Sequence, residues 1–135
     1  ARYAAACDDD YAADDIAALF TESAVWDGGM MGFAETREGI RDFFRNASSI
    51  VGFAVHGLSN PIIEVDGDEA TGHWYLAQPM TLKGTDQAYW FAARYEDRYV
   101  RTTEGWKFQH VKITERAFTP YEEGFGKNLL APLPA

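Results

Sequence analysis

The sequence predicts an α+β domain in which helices pack on one face of a curved antiparallel sheet. Three observations indicate this fold class: apolar residues recur at helical spacing in the first half of the chain, long alternating segments fill the second half, and short turn signals separate those segments. A chain of 135 residues with 47% hydrophobic content can bury a substantial core. We therefore expect a single domain over residues 1–135, with an irregular C-terminal arm over residues 119–135.

The predicted helices lie in the first half of the chain. Alanine-rich residues 2–7 are expected to form a helix that ends at the aspartates 8–10, because Asp favours caps and turns over helix interiors. Residues 11–20 and 36–47 have the spacing of amphipathic helices, and Thr36 is the expected cap of the later one. Their apolar stripes are formed by Ile16, Leu19 and Phe20 and by Ile40, Phe43 and Phe44.

The predicted strands follow one another through the second half, after a short strand at residues 24–26. Asp66-Gly67 is a tight-turn signal, and Asn60-Pro61 indicates a bulge or an edge position. Segments of up to about fifteen residues exceed the usual strand length and therefore must bend. The four long segments are residues 53–65, 69–83, 87–102 and 106–117.

The composition narrows the partners and the location. A formal net charge of −9 disfavours nucleic acid, which needs clustered Lys and Arg, and also disfavours docking to an anionic membrane. The single cysteine, Cys7, excludes an intrachain disulfide and a thiolate zinc site. The lone cysteine makes a reducing, cytoplasmic location the simplest expectation. No apolar run approaches the roughly 18 residues that span a bilayer. The chain starts at Ala1 without an initiator Met, so we also expect a missing N-terminal segment.

The order of several short motifs resembles that of SnoaL-like domains. Asp-Asp-Tyr at residues 9–11 precedes Leu-Phe-Thr-Glu-Ser-Ala-Val-Trp at 19–26, a helix follows at 39–44, and a final hairpin lies at 95–108. The resemblance covers nearly the whole chain. It implies a nuclear transport factor 2-like fold, which is a cystatin-like α+β barrel: a cone-shaped, curved antiparallel β-sheet wrapped around helices.

Within that superfamily, the chain is most similar to the branch of scytalone dehydratase, hexachlorocyclohexane dehydrochlorinase and bile-acid dehydratase. Members of this branch are cofactor-free lyases that work with an Asp–His pair. The resemblance places Asp9 and His56 at the two catalytic positions, and Phe-Thr-Pro at residues 118–120 fits the ending of the last strand. A shift of one residue would bring Asp8 or Asp10 to the Asp position instead.

Two positions depart from this branch. Some members carry Lys or Tyr five residues before the catalytic Asp, and here that position is Ala4, which is adjacent to Tyr3. The cationic Arg of the dehydrochlorinase aligns with Val111. Both departures argue against dehydrochlorination.

The Asp–His pair also makes chemical sense independently of the family. A His of near-neutral pKa can remove a proton from a carbon that a neighbouring carbonyl acidifies. We expect Asp9 to orient the ring of His56 and to stabilise the imidazolium as it forms. The same ring could return the proton to the departing oxygen, so no metal or organic cofactor is needed. The hydroxyl of Tyr95 or Tyr75 could polarise a substrate carbonyl.

The resemblance further implies an apolar pocket on the inner face of the sheet. Such a pocket would suit a flat, hydrophobic ring compound with one or two oxygens as the small-molecule substrate. Plain core filling is the alternative role for each of its side chains. The predicted lining consists of Trp26, Trp74, Leu76, Tyr95, Val111 and Ile113.

Other interpretations of the polar residues stay open. The aspartates 8–10 could be a solvated loop with a helix cap, and His56 could be a structural histidine of the core or of the sheet edge. His56, His73 and His110 fall on separate predicted strands without metal-ligand spacing, so we predict no metal site.

The predicted function is that of a cofactor-independent dehydratase or isomerase acting on an apolar, ring-containing small molecule. We also expect a homo-oligomer, a dimer or trimer, formed through the outer face of the sheet. The alternatives are a polyketide cyclase-like enzyme and a non-catalytic ligand-binding or assembly module, such as the small subunit of a ring-hydroxylating dioxygenase. Convergence of Asp9 and His56 inside a pocket would discriminate among them, because the fold alone does not settle function.

Overall fold

Three α-helices occupy the first part of the chain in the computed structural model, which describes residues 1–135. They are α1 (Arg2–Asp8), α2 (Ala13–Ala18) and α3 (Arg37–Ile50), and a short 3₁₀ turn covers Gly29–Met31. Helix α3 begins after Thr36, as predicted, because the threonine side chain caps it. None of the three helices combines the length and the apolar character that a membrane crossing requires.

Seven strands form one sheet around these helices. The three longest are consecutive strands that the turn signals predicted, and short connections join them. The strands are β1 (Phe20–Asp27), β2 (Phe33–Glu35), β3 (Val51–Ala54), β4 (Gly57–Asp66), β5 (Glu69–Leu82), β6 (Ala88–Thr102) and β7 (Gly105–Pro120).

The sheet order is β2-β1-β7-β6-β5-β3, and β4 also pairs with β5. Neighbouring strands are antiparallel except for β1 and β7, which are parallel. In β4 the register shifts between Ser59 and Ile62, and Asn60 has a φ of 54°. The predicted bulge at Asn60-Pro61 is therefore confirmed. The predicted α+β class with a curved sheet around helices is confirmed as well.

One hydrophobic core holds the helices against the inner face of the sheet. Alternation along β5 buries Leu76, Gln78 and Met80 and leaves His73 and Tyr75 exposed on the outer face. From the helices, the core receives the side chains of Ile16, Ala17, Ile40 and Phe44. The inner face of the cone is thus where any enclosed site must lie.

The first helices differ from the prediction at their ends. Helix α1 includes Asp8, so only two of the three aspartates lie beyond it. Helix α2 is shorter than the predicted residues 11–20, because Asp10 and Tyr11 have φ values of 50° and 52°, outside the helical region. At its other end, Phe20 already belongs to β1.

The second half also contains a break that the sequence pattern did not predict. The segment at residues 53–65 was expected to be one strand, but Val55 and His56 separate β3 from β4. The two strands pair with different stretches of β5, and the short connection lets the chain turn between them. This connection carries the histidine of the candidate site.

The C-terminal arm folds back onto the sheet. Strand β7 continues to Pro120, and beyond it Leu130 forms an isolated parallel bridge with Phe118. Ala131 is buried, and its backbone N–H donates a hydrogen bond to the Phe118 carbonyl at 2.8 Å. The arm is otherwise irregular from Tyr121 onward.

The cap of α3 should be a measurable source of stability. Thr36 Oγ1 accepts a hydrogen bond from the Gly39 N–H at 3.1 Å, and Thr36 has φ 65° and ψ 152°, a region that is strained for a β-branched residue. Thr36→Ala should lower the free energy of unfolding by about 1 kcal/mol because the cap is lost. Thr36→Gly should cost less, since Gly adopts this conformation without strain. Urea denaturation measures both values, and equal losses would contradict the strain at this position.

Candidate active site

A carboxylate and an imidazole meet where the end of α1 approaches the connection between β3 and β4. Oδ1 of Asp8 lies 2.7 Å from Nδ1 of His56 and accepts a second hydrogen bond from the His56 backbone N–H at 2.9 Å. One oxygen therefore fixes both the ring and the main chain of the same residue. The tautomer that donates through Nδ1 leaves a lone pair on Nε2, the other ring nitrogen.

The periodicity of α1 determines which aspartate reaches the ring. Asp8 is the last helical residue and lies one turn after the buried Ala4, on the side of the helix that faces the core. Asp9 follows with φ −91° and ψ 58°, and its side chain is exposed. Successive helical residues differ in direction by about 100°, so a shift of one residue turns the carboxylate away. The partner role expected for Asp9 therefore falls to Asp8.

The enclosure of His56 sets its protonation state. Its side chain is only 5% exposed. Burial lowers the pKa of His56 from the ordinary value of 6.5, and the hydrogen bond and charge of Asp8 offset part of that effect. The ring of Tyr11 stands almost perpendicular to the imidazole, with 5.9 Å between the ring centroids. At neutral pH the imidazole is therefore uncharged and able to accept a proton.

The ring of His56 lines an apolar cavity of about 210 Å³, here called the dyad cavity. Helix α3 and the inner face of the sheet supply most of its wall. The polar groups that line it are few, and the buried amide of Gln78 is one of them. The apolar wall includes Trp26, Phe43, Phe44, Met80, Phe91 and Ile113.

Two buried phenols also line the dyad cavity: Tyr3 from α1 and Tyr95 from β6, whose ring centroids are 6.2 Å apart. The hydroxyl oxygen of Tyr3 accepts a hydrogen bond from Nε1 of Trp26 at 3.0 Å. Burial raises the pKa of both phenols, so both hydroxyl groups stay protonated and can donate hydrogen bonds. They are suited to hold a substrate oxygen.

The sequence analysis did not assign Tyr3 to the site, although its spacing from the aspartates indicates such a role. With Asp8 as the catalytic-position aspartate, the residue five places earlier is Tyr3 and no longer Ala4. The departure noted at that position thus follows from the one-residue shift. Phe43 and Phe44 were assigned only to the apolar stripe of a helix, because apolar periodicity does not distinguish a cavity wall from a filled core.

The predicted substrate-binding residues divide between two cavities. Trp26 and Ile113 line the dyad cavity, as expected. Trp74 and Val111 instead line a second cavity of about 310 Å³. Tyr95 lines both. The single pocket that the sequence predicted is therefore divided.

Several other predicted or considered residues lie outside both cavities. Leu76 is buried in the core and contributes packing only. Tyr75 is 43% exposed on the outer face and cannot polarise a substrate in the dyad cavity. His73 is exposed on that same face, and His110 is half-buried on β7. No three side chains of His, Cys, Asp or Glu gather into a metal-binding group.

Comparison with known sequences gives one family. The model of the SnoaL-like domain matches residues 1–112. The uncharacterized protein Rv2910c of Mycobacterium tuberculosis is 30% identical over 96 residues, which cover 70% of this chain and 65% of that protein. The match therefore spans slightly less than two thirds of the relative's length.

Comparison with solved structures gives one fold. A Novosphingobium aromaticivorans protein described as a candidate aromatic ring hydroxylase is 26% identical, with a TM-score of 0.81 over 93% of this chain and 88% of its own. A candidate scytalone dehydratase from the same organism is 20% identical, with a TM-score of 0.80 over 88% and 80%. The hexachlorocyclohexane dehydrochlorinase LinA-type3 of Novosphingobium barchaimii is 22% identical, with a TM-score of 0.79 over 97% and 88%. The predicted nuclear transport factor 2-like fold is confirmed.

Asp8, and not Asp9, should control the titration of His56. Asp8→Asn removes the carboxylate that raises the pKa of His56, so this pKa should fall further below 6.5. Asp9→Asn removes an exposed carboxylate and is the matched control, which should leave the pKa at its wild-type value. Titration of the His56 ring protons by NMR measures both variants. A lowered pKa in Asp9→Asn alone would reassign the pair.

Proposed function

Because the chain belongs to the family of SnoaL-like domains, we propose that it is a cofactor-independent dehydratase or isomerase that acts on an apolar ring compound. The observation that carries the proposal is the Asp8–His56 pair at the wall of the dyad cavity. The ring nitrogen Nε2 has no hydrogen-bond partner within the chain, and the opposite nitrogen is held by a carboxylate. This is the arrangement that general acid and base catalysis needs.

In the proposed dehydration, the His56 ring carries the proton in both transfers. Nε2 of His56 takes a proton from a carbon next to the substrate carbonyl, and the electron pair of that C–H bond moves toward the carbonyl oxygen to form an enolate. When the enolate collapses, the new C=C bond forms as the C–O bond to the β-hydroxyl breaks. The departing oxygen takes the proton from Nε2, and water leaves. Asp8 keeps the Nδ1 proton in place and stabilises the imidazolium between the two transfers.

The phenols polarise the substrate carbonyl. A hydroxyl of Tyr3 or Tyr95 that donates to the substrate carbonyl lowers the energy of the enolate that forms when the proton leaves. Tyr3 is held by the hydrogen bond from Trp26, so its position costs little reorganisation. Tyr95 keeps the polarising role that the sequence predicted, and Tyr3 takes the place of Tyr75.

The dimensions of the cavity restrict the substrate. A volume of about 210 Å³ is at the small end for ligand pockets and favours one or two rings over a four-ring steroid. The aromatic walls suit a flat hydrophobic ring, and the phenols of Tyr3 and Tyr95 with the Gln78 amide suit one or two oxygens. An isomerase would use the same base to move the proton between two carbons, with no loss of water.

The alternatives differ in what they require of the cavity. A polyketide cyclase-like enzyme would use the same base and form a new ring instead of releasing water. An assembly module, such as the small subunit of a ring-hydroxylating dioxygenase, would be expected to have a filled pocket and no catalytic pair. The likeness to the candidate aromatic ring hydroxylase is the one observation that favours such an assembly module. The open cavity and the Asp8–His56 pair favour the lyase or isomerase.

Turnover should depend on His56. The assay uses β-hydroxy ketones on one-ring and two-ring carbocycles, such as 3-hydroxycyclohexanone, and follows the ultraviolet absorbance of the enone product. His56→Gln should lower kcat by roughly 10²–10⁴-fold, because the proton carrier is lost. Asp8→Asn should lower kcat less, and Asp9→Asn should retain it.

Three results would separate the candidate functions. Full activity in His56→Gln would refute the catalytic role of this residue. Binding of ring ketones without any product across the panel would favour the ligand-binding module. A product of equal mass to the substrate would favour the isomerase or the cyclase over the dehydratase, and an NMR spectrum of that product distinguishes a moved double bond from a new ring.

We also propose that the protein partner is a second copy of this chain, paired through the outer face of the sheet. Ile62 of β4 and Tyr75 of β5 are 62% and 43% exposed on that face, which gives two apolar side chains for contact. Sedimentation velocity should show a dimer or trimer, and Ile62→Glu should shift the population toward monomer. A wild-type monomer at micromolar concentration would contradict the proposal.

A further inference from the structure

The second cavity of about 310 Å³ is separate from the dyad cavity and has different chemistry. Only Tyr3 and Tyr95 line both cavities, so these two rings stand at the boundary between them. His56 does not line the second cavity, and Asp97 of β6 is its one charged side chain. We call it the carboxyl cavity.

One oxygen of Asp97 is held and the other is free. Oδ2 accepts a hydrogen bond from the hydroxyl of Tyr99 at 2.8 Å, and that hydroxyl accepts one from Nε1 of Trp74 at 3.0 Å. Oδ1 is buried and has no hydrogen-bond partner within the chain. The residue is 5% exposed. Such a group is costly to bury unless something satisfies it.

The backbone makes room for this chain of hydrogen bonds. Gly72 of β5 pairs with Asp97 across the sheet. A Cβ at Gly72 would lie 2.6 Å from the Tyr99 hydroxyl oxygen and 3.1 Å from Nε1 of Trp74. Only glycine therefore leaves space for both partners. The orientation of the Asp97 carboxyl, with one oxygen held and one left free, is built into the strand pairing.

No side chain supplies an opposite charge to Asp97. Burial raises the pKa of this carboxyl to about 7, although the hydrogen bond from Tyr99 acts in the other direction. Near neutral pH, the carboxyl is thus close to the point at which a bound cation would complete its ionisation. The formal net charge of −9 further favours the approach of cations.

The walls of the cavity suit a cation that carries an apolar group. Rings with electron-rich faces attract ammonium groups, and desolvation strengthens the attraction. One of these rings, Trp106, already has the guanidinium of Arg101 at 4.8 Å from its centroid. The aromatic lining consists of Tyr3, Trp74, Tyr95, Tyr99, Trp106 and Phe108.

We propose that the carboxyl cavity binds a small organic amine, with its ammonium nitrogen on Oδ1 of Asp97 and its apolar substituent against the aromatic walls. This site is distinct from the dyad cavity and requires no catalysis. A protonated amine supplies both what Oδ1 lacks and what the rings attract, whereas a neutral alcohol supplies only a hydrogen bond.

The test compares benzylamine with benzyl alcohol, which have nearly the same shape and differ in charge at pH 7. Titrations followed by the indole N–H signal of Trp74 in NMR spectra give both dissociation constants. Benzylamine should bind wild-type protein at least about tenfold more tightly than benzyl alcohol. Asp97→Asn should remove this preference, because the amide keeps the shape of the carboxyl and loses its charge.

Two further variants locate the binding. Ala70→Leu places a larger side chain in the wall of the carboxyl cavity and should weaken binding of both probes. His56→Gln should leave benzylamine binding unchanged, so the outcome is independent of the proposed lyase activity. Circular dichroism and thermal melting establish that each variant is folded.

The proposal is overturned by any of three results. Equal affinity of wild-type protein for the two probes would show that charge is not recognised, and this comparison needs no variant. Unchanged preference in folded Asp97→Asn would place the amine elsewhere. Perturbation of the His56 ring signals by benzylamine, without change at Trp74, would assign the amine to the dyad cavity.

Discussion

Oδ1 of Asp8 accepts two hydrogen bonds from one residue, and in doing so it joins the end of α1 to the connection between β3 and β4. The bond to the His56 backbone N–H holds the connection in place, and the contact with Nδ1 orients the ring. The distances of 2.9 Å and 2.7 Å leave little freedom for either. The position of the free ring nitrogen, and with it any proton transfer, depends on this one oxygen.

Two tyrosines stand at the boundary between the two cavities of the interior. Tyr3 comes from the first helix and Tyr95 from the centre of β6, and their rings stand between a cavity with an imidazole and a cavity with a carboxyl. Each cavity is therefore smaller than the hollow of the whole cone. Both phenols are buried with raised pKa values, so they remain neutral donors in either cavity. Each cavity therefore has room only for a compact ligand.

Both cavities exist because the curved sheet of this SnoaL-like domain encloses space that the helices do not fill. Its structural neighbours have names from more than one class of activity, a candidate ring hydroxylase and lyases among them. The fold therefore accounts for the enclosure but not for the reaction. The two cavities differ in the side chains that line them: His56, held by Asp8, lines one, and Asp97, held by Tyr99, lines the other.

The sequence by itself determined the class of fold, because the stripe of α3 and the alternation along β5 are local patterns that specify which face is buried. It also indicated His56 and an aspartate among residues 8–10. The tertiary structure decided that this aspartate is Asp8. Neighbouring aspartates differ only in the direction in which their side chains leave α1, and the sequence does not show on which side of α1 the connection with His56 lies. The division of the pocket was likewise undetermined until the fold brought Tyr3 to Tyr95, because a contact between residues so distant in sequence has no local signature.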